Sequence, residues 1–349
     1  MKTNALKRSA GRLSLSNFLK ILIAPGAGCG LLPLSGMAQN YGINLPPAYY
    51  KNGVADSGDA AFQPGVYSWP YSDQDISNCQ YYFNMIRFPI NVGTADDDNA
   101  MNTLRGFIDQ IPGKWAIIAM CGTYKSGDPQ PHGNGKVNDY YTLSQMEWAW
   151  WNIQHYFPKS SYPNVYFEVF NEPFGYGTDV SSYMSDMNAL MNYAPLDRSR
   201  CILDGLGNAN NIQAVANDGW TGMLAYHFYP NWVSDPTQAN FSNKAQSDIG
   251  SLSTRTWVTE FGGALDENLY GYSDPSGCYN TYTDDTHPWS ANVNCLRGLD
   301  DALRALKTKY GSVRGAFFWH GWDEGDSYDY WSPNNSYGAC KVHEIITND

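Results

Sequence analysis

The sequence predicts an α/β protein built as one (β/α)8 barrel. Eight short runs of β-branched and aromatic residues alternate with segments of helical periodicity along the 349-residue chain, and this alternation is typical of a parallel barrel. A composition of 43% hydrophobic and 16% charged residues is sufficient for one large core. Two of the runs end in a glutamate, at Glu172 and Glu260.

The predicted strands are continuous apolar runs, as expected when both faces of a parallel strand are buried. In chain order they lie at residues 41–45, 85–90, 115–121, 165–172, 201–205, 223–228, 256–260 and 314–319. The fourth run stops abruptly at polar Asn171 and Glu172. Pro173 lacks a backbone N–H and disfavours the α region for the residue before it, so the strand cannot continue there.

Helices are predicted where apolar residues recur at three- and four-residue spacing. They lie at residues 75–83, 100–111, 143–157, 181–193, 211–217, 238–252 and 296–310. Irregular loops rich in glycine, proline and polar residues are predicted after residue 45, from 122 to 141 and from 264 to 294. The tail from His320 is polar and aromatic and contains no convincing last helix.

Residues 1–38 differ from the rest of the chain and predict a secretory signal peptide. Their only charges are basic, an apolar run follows at 21–34, and small residues Gly36 and Ala38 precede Gln39. We therefore expect cleavage near Ala38, a catalytic domain at 39–349, and a secreted or periplasmic protein. Prolines and glycines interrupt the apolar run, which disfavours a membrane span. Cys29 lacks the leucine that usually lies three residues before a lipid-modified cysteine, so lipid attachment is disfavoured.

The charge balance limits the classes of partner. Removal of residues 1–38, which hold five basic and no acidic side chains, shifts the net charge from −12 to −17. Such a chain repels phosphate backbones, so we expect no nucleic-acid binding, whereas a neutral substrate meets no electrostatic penalty.

Six cysteines remain after the predicted cleavage, and an even number in an exported chain permits disulfide bonds. They are Cys79, Cys121, Cys201, Cys278, Cys295 and Cys340. A bridge between Cys278 and Cys295 is predicted because both lie near one long loop. Cys121 ends an apolar strand and is equally consistent with a buried thiol.

In a (β/α)8 barrel the active site lies at the carboxyl ends of the strands. The polar and aromatic residues predicted at those ends are Arg87, Asn171, Glu172, His227, Tyr229, Glu260 and Trp319. Arg87 interrupts an apolar strand, and we expect it to face a carboxylate because a buried charge requires a partner. For His227, Arg87 and Trp319, a purely structural role in the core is the alternative interpretation.

Two carboxyl groups at one site are what the cleavage of a glycosidic bond requires. One protonates the departing oxygen and the other stabilises or attacks the anomeric centre; a separation of about 5 to 5.5 Å gives retention of configuration and a wider one gives inversion. We expect Arg87 and Tyr229 to keep Glu260 ionised as the nucleophile. Glu172 is then the acid and later the base, and Asn171 is placed to bind a sugar hydroxyl.

The chain resembles glycoside hydrolase family 5, the cellulase-like retaining enzymes, from about residue 41 to residue 319. The motifs that carry the resemblance are Asn171-Glu172-Pro173, Thr259-Glu260-Phe261-Gly262, Ile86-Arg87-Phe88-Pro89, His227-Phe228-Tyr229 and Phe318-Trp319. It implies that Glu172 is the acid/base and Glu260 the nucleophile. It further implies that Asn171 binds the 2-hydroxyl, that Arg87 and Tyr229 support Glu260, that His227 lies close to the carboxylates, and that Trp319 stacks under the sugar.

One departure from the family pattern lies at the end of the third strand. The family usually has a histidine there, where this chain reads Ala119-Met120-Cys121-Gly122-Thr123-Tyr124. His132 and Tyr124 are the candidates to fill that space.

These observations predict a retaining endo-β-glycosidase that needs no cofactor or metal and acts on a β-1,4-linked polysaccharide. A β-glucan is favoured, with mannan and xyloglucan as alternatives. The expected protein is a monomer without a membrane partner. A different class, a non-catalytic carbohydrate-binding protein on the same fold, is disfavoured because both glutamates are present.

Other chemistries receive less support from the sequence. The sequence lacks the Gly-x-Ser-x-Gly motif that would indicate a serine hydrolase. His343-Glu344 is not followed by a second histidine at zinc-ligand spacing, and no Cys-x-x-Cys pair occurs. The acidic stretches at 96–98 and 323–329 are interpreted as solvated loops rather than calcium sites.

Overall fold

The computed structural model describes residues 40–47, 49–51, 54–56, 65–67, 69–122, 135–263 and 291–319. All of them belong to one compact unit, Gln39–Asp349. Residues 1–38, and with them the predicted signal peptide, lie outside the described part, as do Tyr124, His132, Cys278, Cys340 and the stretch 323–329.

Eight parallel strands close into a barrel, which confirms the predicted fold class. The strands are β1 Asn40–Asn44, β4 Met85–Ile90, β5 Ala116–Cys121, β6 Val165–Asn171, β7 Cys201–Asp204, β8 Met223–Phe228, β9 Thr256–Phe261 and β10 Gly315–Phe318. Around the barrel the order is β1-β10-β9-β8-β7-β6-β5-β4. Closure is made by β1, which pairs in parallel with β10 through Asn40 and Gly315 and with β4 through Gly42 and Met85.

A small antiparallel hairpin precedes the second barrel strand. It consists of β2 Tyr49–Lys51 and β3 Val54–Asp56, paired through Tyr49 and Asp56. The sequence analysis placed an irregular loop here, and that prediction is wrong for these two strands. The signal was nevertheless present, since Asn52-Gly53 separates the strands and Asn-Gly favours two-residue hairpin turns.

Helices follow the barrel strands on the outside. Those described are α1 Asp73–Tyr82, α2 Val92–Ala95, α3 Asp98–Gln110, α4 Leu143–Tyr156, α5 Val180–Tyr193, α6 Leu206–Ala209, α7 Ile212–Asn217, α8 Gln238–Ile249 and α9 Ala291–Tyr310. Local chemistry sets several starts: Ser72 and Thr142 each form a capping box with the residue three positions later. Within the described segments, no helix has the length and apolar character needed to cross a bilayer.

The core has two parts, on either side of the barrel wall. The larger cluster joins the outward side chains of the strands, such as Ile86 and Phe88, to the helices. Side chains that alternate with these point inward and form a second cluster: Met85, Ile117, Ile202, Met223, Ala225, Trp257 and Phe317. This second cluster fills the barrel below Arg87, so the polar cluster described next lies directly above packed apolar side chains.

Helices α8 and α9 approach each other closely at Gly298. A Cβ at this position would lie 2.5 Å from the Phe241 Cβ and 2.7 Å from the Gln238 carbonyl oxygen. The missing side chain therefore permits the contact between the two helices.

The described cysteines carry no disulfide bond. Cys79, Cys121, Cys201 and Cys295 are buried free thiols. The predicted bridge between Cys278 and Cys295 is therefore not supported, because Cys295 packs as a small apolar residue on α9.

Candidate active site

Six of the seven predicted site residues meet at the carboxyl end of the barrel. Arg87 lies within β4, Asn171 ends β6 and Glu172 follows it, His227 lies in β8 with Tyr229 just beyond, and Glu260 lies in β9. The contacts given below join all six. Trp319 follows β10 at the same end and is partly buried, and its backbone N–H donates to the Phe261 carbonyl at 2.7 Å.

Arg87 is the centre of the cluster, and every N–H of its guanidinium is used. It donates to both Glu168 oxygens, from Nε at 2.8 Å and from Nη2 at 2.6 Å. Nη1 donates to Glu260 Oε1 and to Asn44 Oδ1, both at 2.7 Å. Nη2 also donates to Asn171 Oδ1 at 2.6 Å. Five donors with five acceptors compensate the burial of a fully enclosed cation.

The two glutamates predicted to be catalytic face each other across the barrel mouth. One carboxylate oxygen of Glu172 and one of Glu260 lie within 4.8 Å of each other, and the His227 ring nitrogen Nδ1 lies between them. Glu260 accepts a further hydrogen bond from the Tyr229 hydroxyl at 2.7 Å. Glu260 is almost fully buried, whereas the Glu172 side chain keeps 12% of its surface exposed.

The backbone at Glu172 adopts a conformation that side chains disfavour. Its φ is +49°, in the left-handed region, and Pro173 follows. The carbonyl of Glu172 accepts from the Phe174 N–H at 2.8 Å, and its own N–H donates to Asp204 Oδ2 at 2.9 Å. Positive φ in a non-glycine residue at a strand end is characteristic of functional sites that the surrounding structure holds in place.

Gly135 packs directly beneath this turn. A Cβ on Gly135 would lie 2.7 Å from the Glu172 carbonyl oxygen, and its own carbonyl accepts from the Gly175 N–H at 3.1 Å. The segment before α4 therefore supports the backbone that carries Glu172.

His227 is surrounded by four carboxyl groups. Its Nδ1 lies 3.1 Å from Glu172 Oε1 and 3.4 Å from Glu260 Oε2, and its Nε2 lies 3.8 Å from Glu168 Oε1 and 3.9 Å from Asp204 Oδ2. Burial lowers the pKa of His227, but Glu260, Glu168 and Glu172 outweigh burial and raise it to about 10. The imidazole is therefore a cation at neutral pH.

The pKa values of Glu168 and Glu260 shift in opposite directions in this environment. Burial raises the pKa of Glu168, yet the charges of Arg87 and His227 outweigh it and lower the pKa to about 2. For Glu260 burial is the largest effect and its pKa is raised, with His227 and Arg87 acting against the rise. Sequence reasoning expected Arg87 and Tyr229 to keep Glu260 ionised, and it did not account for the near-complete burial of this carboxyl.

Sequence analysis missed three residues of the cluster: Glu168, Asp204 and Asn44. Glu168 is a charge inside an apolar strand, which is the same signal that identified Arg87. Asp204 is a polar residue at the end of β7, the signal used for the other strand ends. Asn44 ends β1 and accepts from Arg87, and its Nδ2 donates to the carbonyls of Thr259 and Phe318, each at 3.1 Å.

Cys121 occupies the end of the third barrel strand, where the family pattern has a histidine. It is paired in register with Asn171 and is buried, and burial raises the pKa of its thiol well above the usual value. A neutral thiol therefore lies beside the carboxylates.

The acidic cluster is poorly suited to hold a metal ion. Among the residues that the structure describes, two triads have ligand atoms close enough, namely Glu168, Asp204 and His227, and Glu172, His227 and Glu260. Both include His227, whose raised pKa means that a bound metal ion would have to displace its proton. The acidic run at 96–98 has local roles instead, since Asp97 caps α3 and Asp98 accepts from the Tyr156 hydroxyl at 2.8 Å.

Comparison with known proteins shows likeness in structure. Neither a protein-family model nor a curated protein sequence matches the chain. An endo-β-1,4-glucanase from Xanthomonas axonopodis pv. citri superposes with a TM-score of 0.57 at 14% identity, covering 88% of this chain and 99% of that one. An endoglucanase from Pseudomonas stutzeri in complex with cellobiose gives 0.58 at 12% identity, covering 88% and 92%.

A third similar structure has a different substrate in its name. The catalytic domain of a mannanase from Streptomyces sp. SirexAA-E gives a TM-score of 0.51 at 14% identity, covering 94% of this chain and 98% of that domain. At these identities the likeness is one of fold, and the chain has the (β/α)8 fold of these glycoside hydrolases.

Proposed function

We propose that the protein is a retaining endo-β-glycosidase of the glycoside hydrolase family 5 type, acting on a β-1,4-linked polysaccharide. The observation that carries the proposal is the facing pair of Glu172 and Glu260, with carboxylate oxygens within 4.8 Å. This fits the roughly 5 to 5.5 Å of a double displacement, in which no room is left for water between the second carboxylate and the sugar.

In the first step Glu260 attacks the anomeric carbon and Glu172 gives its proton to the departing glycosidic oxygen. The bond between that carbon and the leaving oxygen breaks as the bond to Glu260 forms. The hydrogen bonds support this division of roles. Both oxygens of Glu260 face groups that donate, namely Arg87 and Tyr229, and these favour its ionised form over a protonated one.

In the second step Glu172, now ionised, removes a proton from a water molecule that attacks the same carbon. The bond to Glu260 breaks, the carboxylate is regenerated and Glu172 is again protonated. The greater exposure of Glu172 suits this role, because a residue that exchanges protons with water and with a leaving group must be reachable from the cleft.

Asn171 and Trp319 are proposed to bind the sugar. The Oδ1 of Asn171 is held by Arg87, and its buried Nδ2 has no hydrogen-bond partner within the part of the chain that the structure describes. A buried donor without a partner is costly. A sugar hydroxyl next to the scissile bond would satisfy it. Trp319, which follows β10 at the same end of the barrel, is proposed to stack its aromatic ring against the sugar.

The proposed substrate is a β-glucan, with mannan and xyloglucan as alternatives. The β-1,4-glucanase and mannanase activities named for the similar structures support a β-1,4 linkage. We further propose that the protein is exported after cleavage near Ala38 and acts as a monomer, without a metal, a cofactor, nucleic acid or a membrane.

The test uses the full chain with soluble β-glucan, mannan and xyloglucan, scored for released reducing ends. Glu172→Gln and Glu260→Gln should each lower turnover by at least about 10³-fold. Proton NMR of the first products should show the β-anomer. Azide should rescue Glu172→Ala by forming a β-glycosyl azide and Glu260→Ala by forming the α-azide, because only the nucleophile variant accepts azide directly on the opposite face.

The matched control is Glu147→Gln on the outer helix α4, which should leave turnover unchanged. Binding of polysaccharide without turnover in the wild type would favour the non-catalytic alternative. An α-anomer as the first product would exclude the double displacement.

A further inference from the structure

The buried carboxyl group of Asp204 is hydrogen-bonded to the backbone of Glu172, the proposed proton donor. It ends β7, no part of it is exposed, and Oδ2 accepts the Glu172 backbone N–H at 2.9 Å. Its other oxygen, Oδ1, forms no hydrogen bond with any described residue. The Glu172 N–H is therefore the one hydrogen bond that this carboxyl makes in the described structure.

That hydrogen bond fixes an unusual piece of backbone. Glu172 has φ +49° directly after the end of β6 at Asn171, and its N–H donates to the Asp204 side chain. A left-handed residue that is not glycine persists only where its surroundings hold it. Asp204 holds the N–H, while Phe174 and the Gly135 segment hold the carbonyl. The direction in which Glu172 points thus depends on a side chain from the next strand of the barrel.

The charges around Asp204 favour its uncharged form. Glu168 on β6, His227 on β8 and Arg87 on β4 are the charged groups that act on it, and Tyr183 of α5 lies close by. Arg87 and His227 are the cations, and Glu168 and Glu260 already balance them. A third negative charge at Asp204 would have no cation of its own, because His227 Nε2, 3.9 Å away, also faces Glu168 at 3.8 Å. Burial and the charge of Glu168 accordingly raise the pKa of Asp204 well above its usual value.

We propose that Asp204, as an uncharged acid, is a positioning residue that holds Glu172 in the geometry for proton transfer. It acts through the backbone of Glu172 and touches no reacting atom. This inference rests on the proposed function, since it concerns the acid/base step of the same site. Its signature is chemical: loss of Asp204 should impair the reactions that need a proton from Glu172 and spare those that do not.

The experiment compares two aryl β-glycosides of the sugar that the wild type hydrolyses. One carries 2,4-dinitrophenol, which departs without protonation, and the other carries phenol, which needs it. For Asp204→Ala, kcat/KM should fall about 10²-fold with the phenyl substrate and less than about threefold with the dinitrophenyl substrate, because misplacement of the acid affects one of them only. Azide should raise kcat of Asp204→Ala on the dinitrophenyl substrate.

Asp204→Asn is the conservative variant. Its amide oxygen can accept the Glu172 N–H, and it carries no charge, like the proposed form of Asp204. We expect it to recover most of the activity that Asp204→Ala loses and to keep the wild-type ratio between the two substrates. The alkaline limb of the kcat/KM profile of Asp204→Asn against pH should coincide with that of the wild type. A limb shifted to lower pH would mean that Asp204 is ionised in the wild type and would overturn the inference. This test does not require that Asp204→Ala folds.

Asp97→Ala is the matched control, because Asp97 also accepts a backbone N–H, from Ala100 at 2.8 Å, but does so at the start of α3. It should lower thermal stability and leave the substrate ratio unchanged. Equal losses on both substrates for Asp204→Ala, or no loss at all, would overturn the inference. Failure of the proposed function looks different, since the wild type would then hydrolyse neither substrate.

Discussion

The contribution of the buried ion pair between Arg87 and Glu168 to the free energy of unfolding can be predicted quantitatively. Both side chains are fully enclosed, and Arg87 donates to the two Glu168 oxygens at 2.6 Å and 2.8 Å. Glu168→Gln preserves the shape of the side chain but replaces one acceptor by an NH₂ group that faces an Arg87 N–H. The variant therefore loses both the ion pair and one hydrogen bond.

The size of the loss follows from the pKa of Glu168. A change from 4.5 to about 2 on folding corresponds to on the order of 3 kcal/mol of stability at neutral pH. This agrees with the 3–5 kcal/mol that removal of one partner from a buried pair typically costs. Because the folded pKa is depressed, the contribution is complete above pH 4.5 and is lost as the pH falls through about 2.

Urea unfolding followed by tryptophan fluorescence measures this contribution. At pH 7 we expect Glu168→Gln to be less stable than the wild type by about 3 kcal/mol, and at pH 3 by about 1 kcal/mol. Arg87→Met combined with Glu168→Gln should be less damaging than the sum of the two single changes, because neither partner is then left as an unpaired charge. Glu147→Gln on α4 should change stability by less than about 0.5 kcal/mol. A difference between Glu168→Gln and the wild type that is the same at pH 7 and pH 3 would refute the reasoning.

Three further predictions concern single side chains. Tyr229→Phe removes a donor that lowers the pKa of Glu260, so the acidic limb of kcat/KM against pH should move to higher pH and kcat/KM should fall about tenfold or more. The raised pKa of Asp204 stabilises the folded wild type fully only below the pKa of this group in the unfolded chain, because at higher pH the unfolded chain gains stability by ionising. In urea unfolding, Asp204→Asn should therefore gain stability relative to the wild type as the pH rises from 4 to 8. Gly298→Ala should lower the unfolding free energy by about 1–3 kcal/mol through its clash with α8, whereas Gly106→Ala, in open space on α3, should raise it by roughly 0.5–1 kcal/mol.

The barrel could be predicted well because a local sequence pattern marks each of its strands. The strands at 85–90 and 223–228 match the structure in both bounds, since each is a short apolar run between clear turn or helix-start residues. The site residues at strand ends could likewise be named, because a parallel barrel collects such residues on one face whatever its register.

What the sequence could not supply is the register across strands. Arg87 reaches past β5 to Glu168 on β6, and its strand pairs with β5 through Ile117 while Glu168 pairs with β5 through Ala119. A shift of one residue would turn Glu168 to the outer face of the barrel. The partner of Arg87 was therefore predicted as Glu260 alone, although the structure gives Arg87 two carboxylates.

Burial is the second quantity that the sequence does not give. The expectation that Arg87 and Tyr229 keep Glu260 ionised considered their contacts with this carboxyl and left out its burial. In the structure Glu260 is 5% exposed, and the loss of hydration is its largest electrostatic effect. His227 acts together with Arg87 and Tyr229 against that loss, and the pKa of Glu260 is nevertheless raised.

Under the proposed mechanism, the position of His227 explains how the cluster remains electrically balanced during turnover. Arg87 and His227 are cations throughout, and before reaction Glu168 and Glu260 balance them while Glu172 holds the proton. Formation of the glycosyl ester removes the charge of Glu260, and transfer of the proton to the leaving group places an equal charge on Glu172. His227 Nδ1 lies 3.1 Å from Glu172 and 3.4 Å from Glu260, so it faces the negative charge in both states without moving. An ionised Asp204 would add a charge that no step of the proposed cycle neutralises, which agrees with the raised pKa of this buried acid.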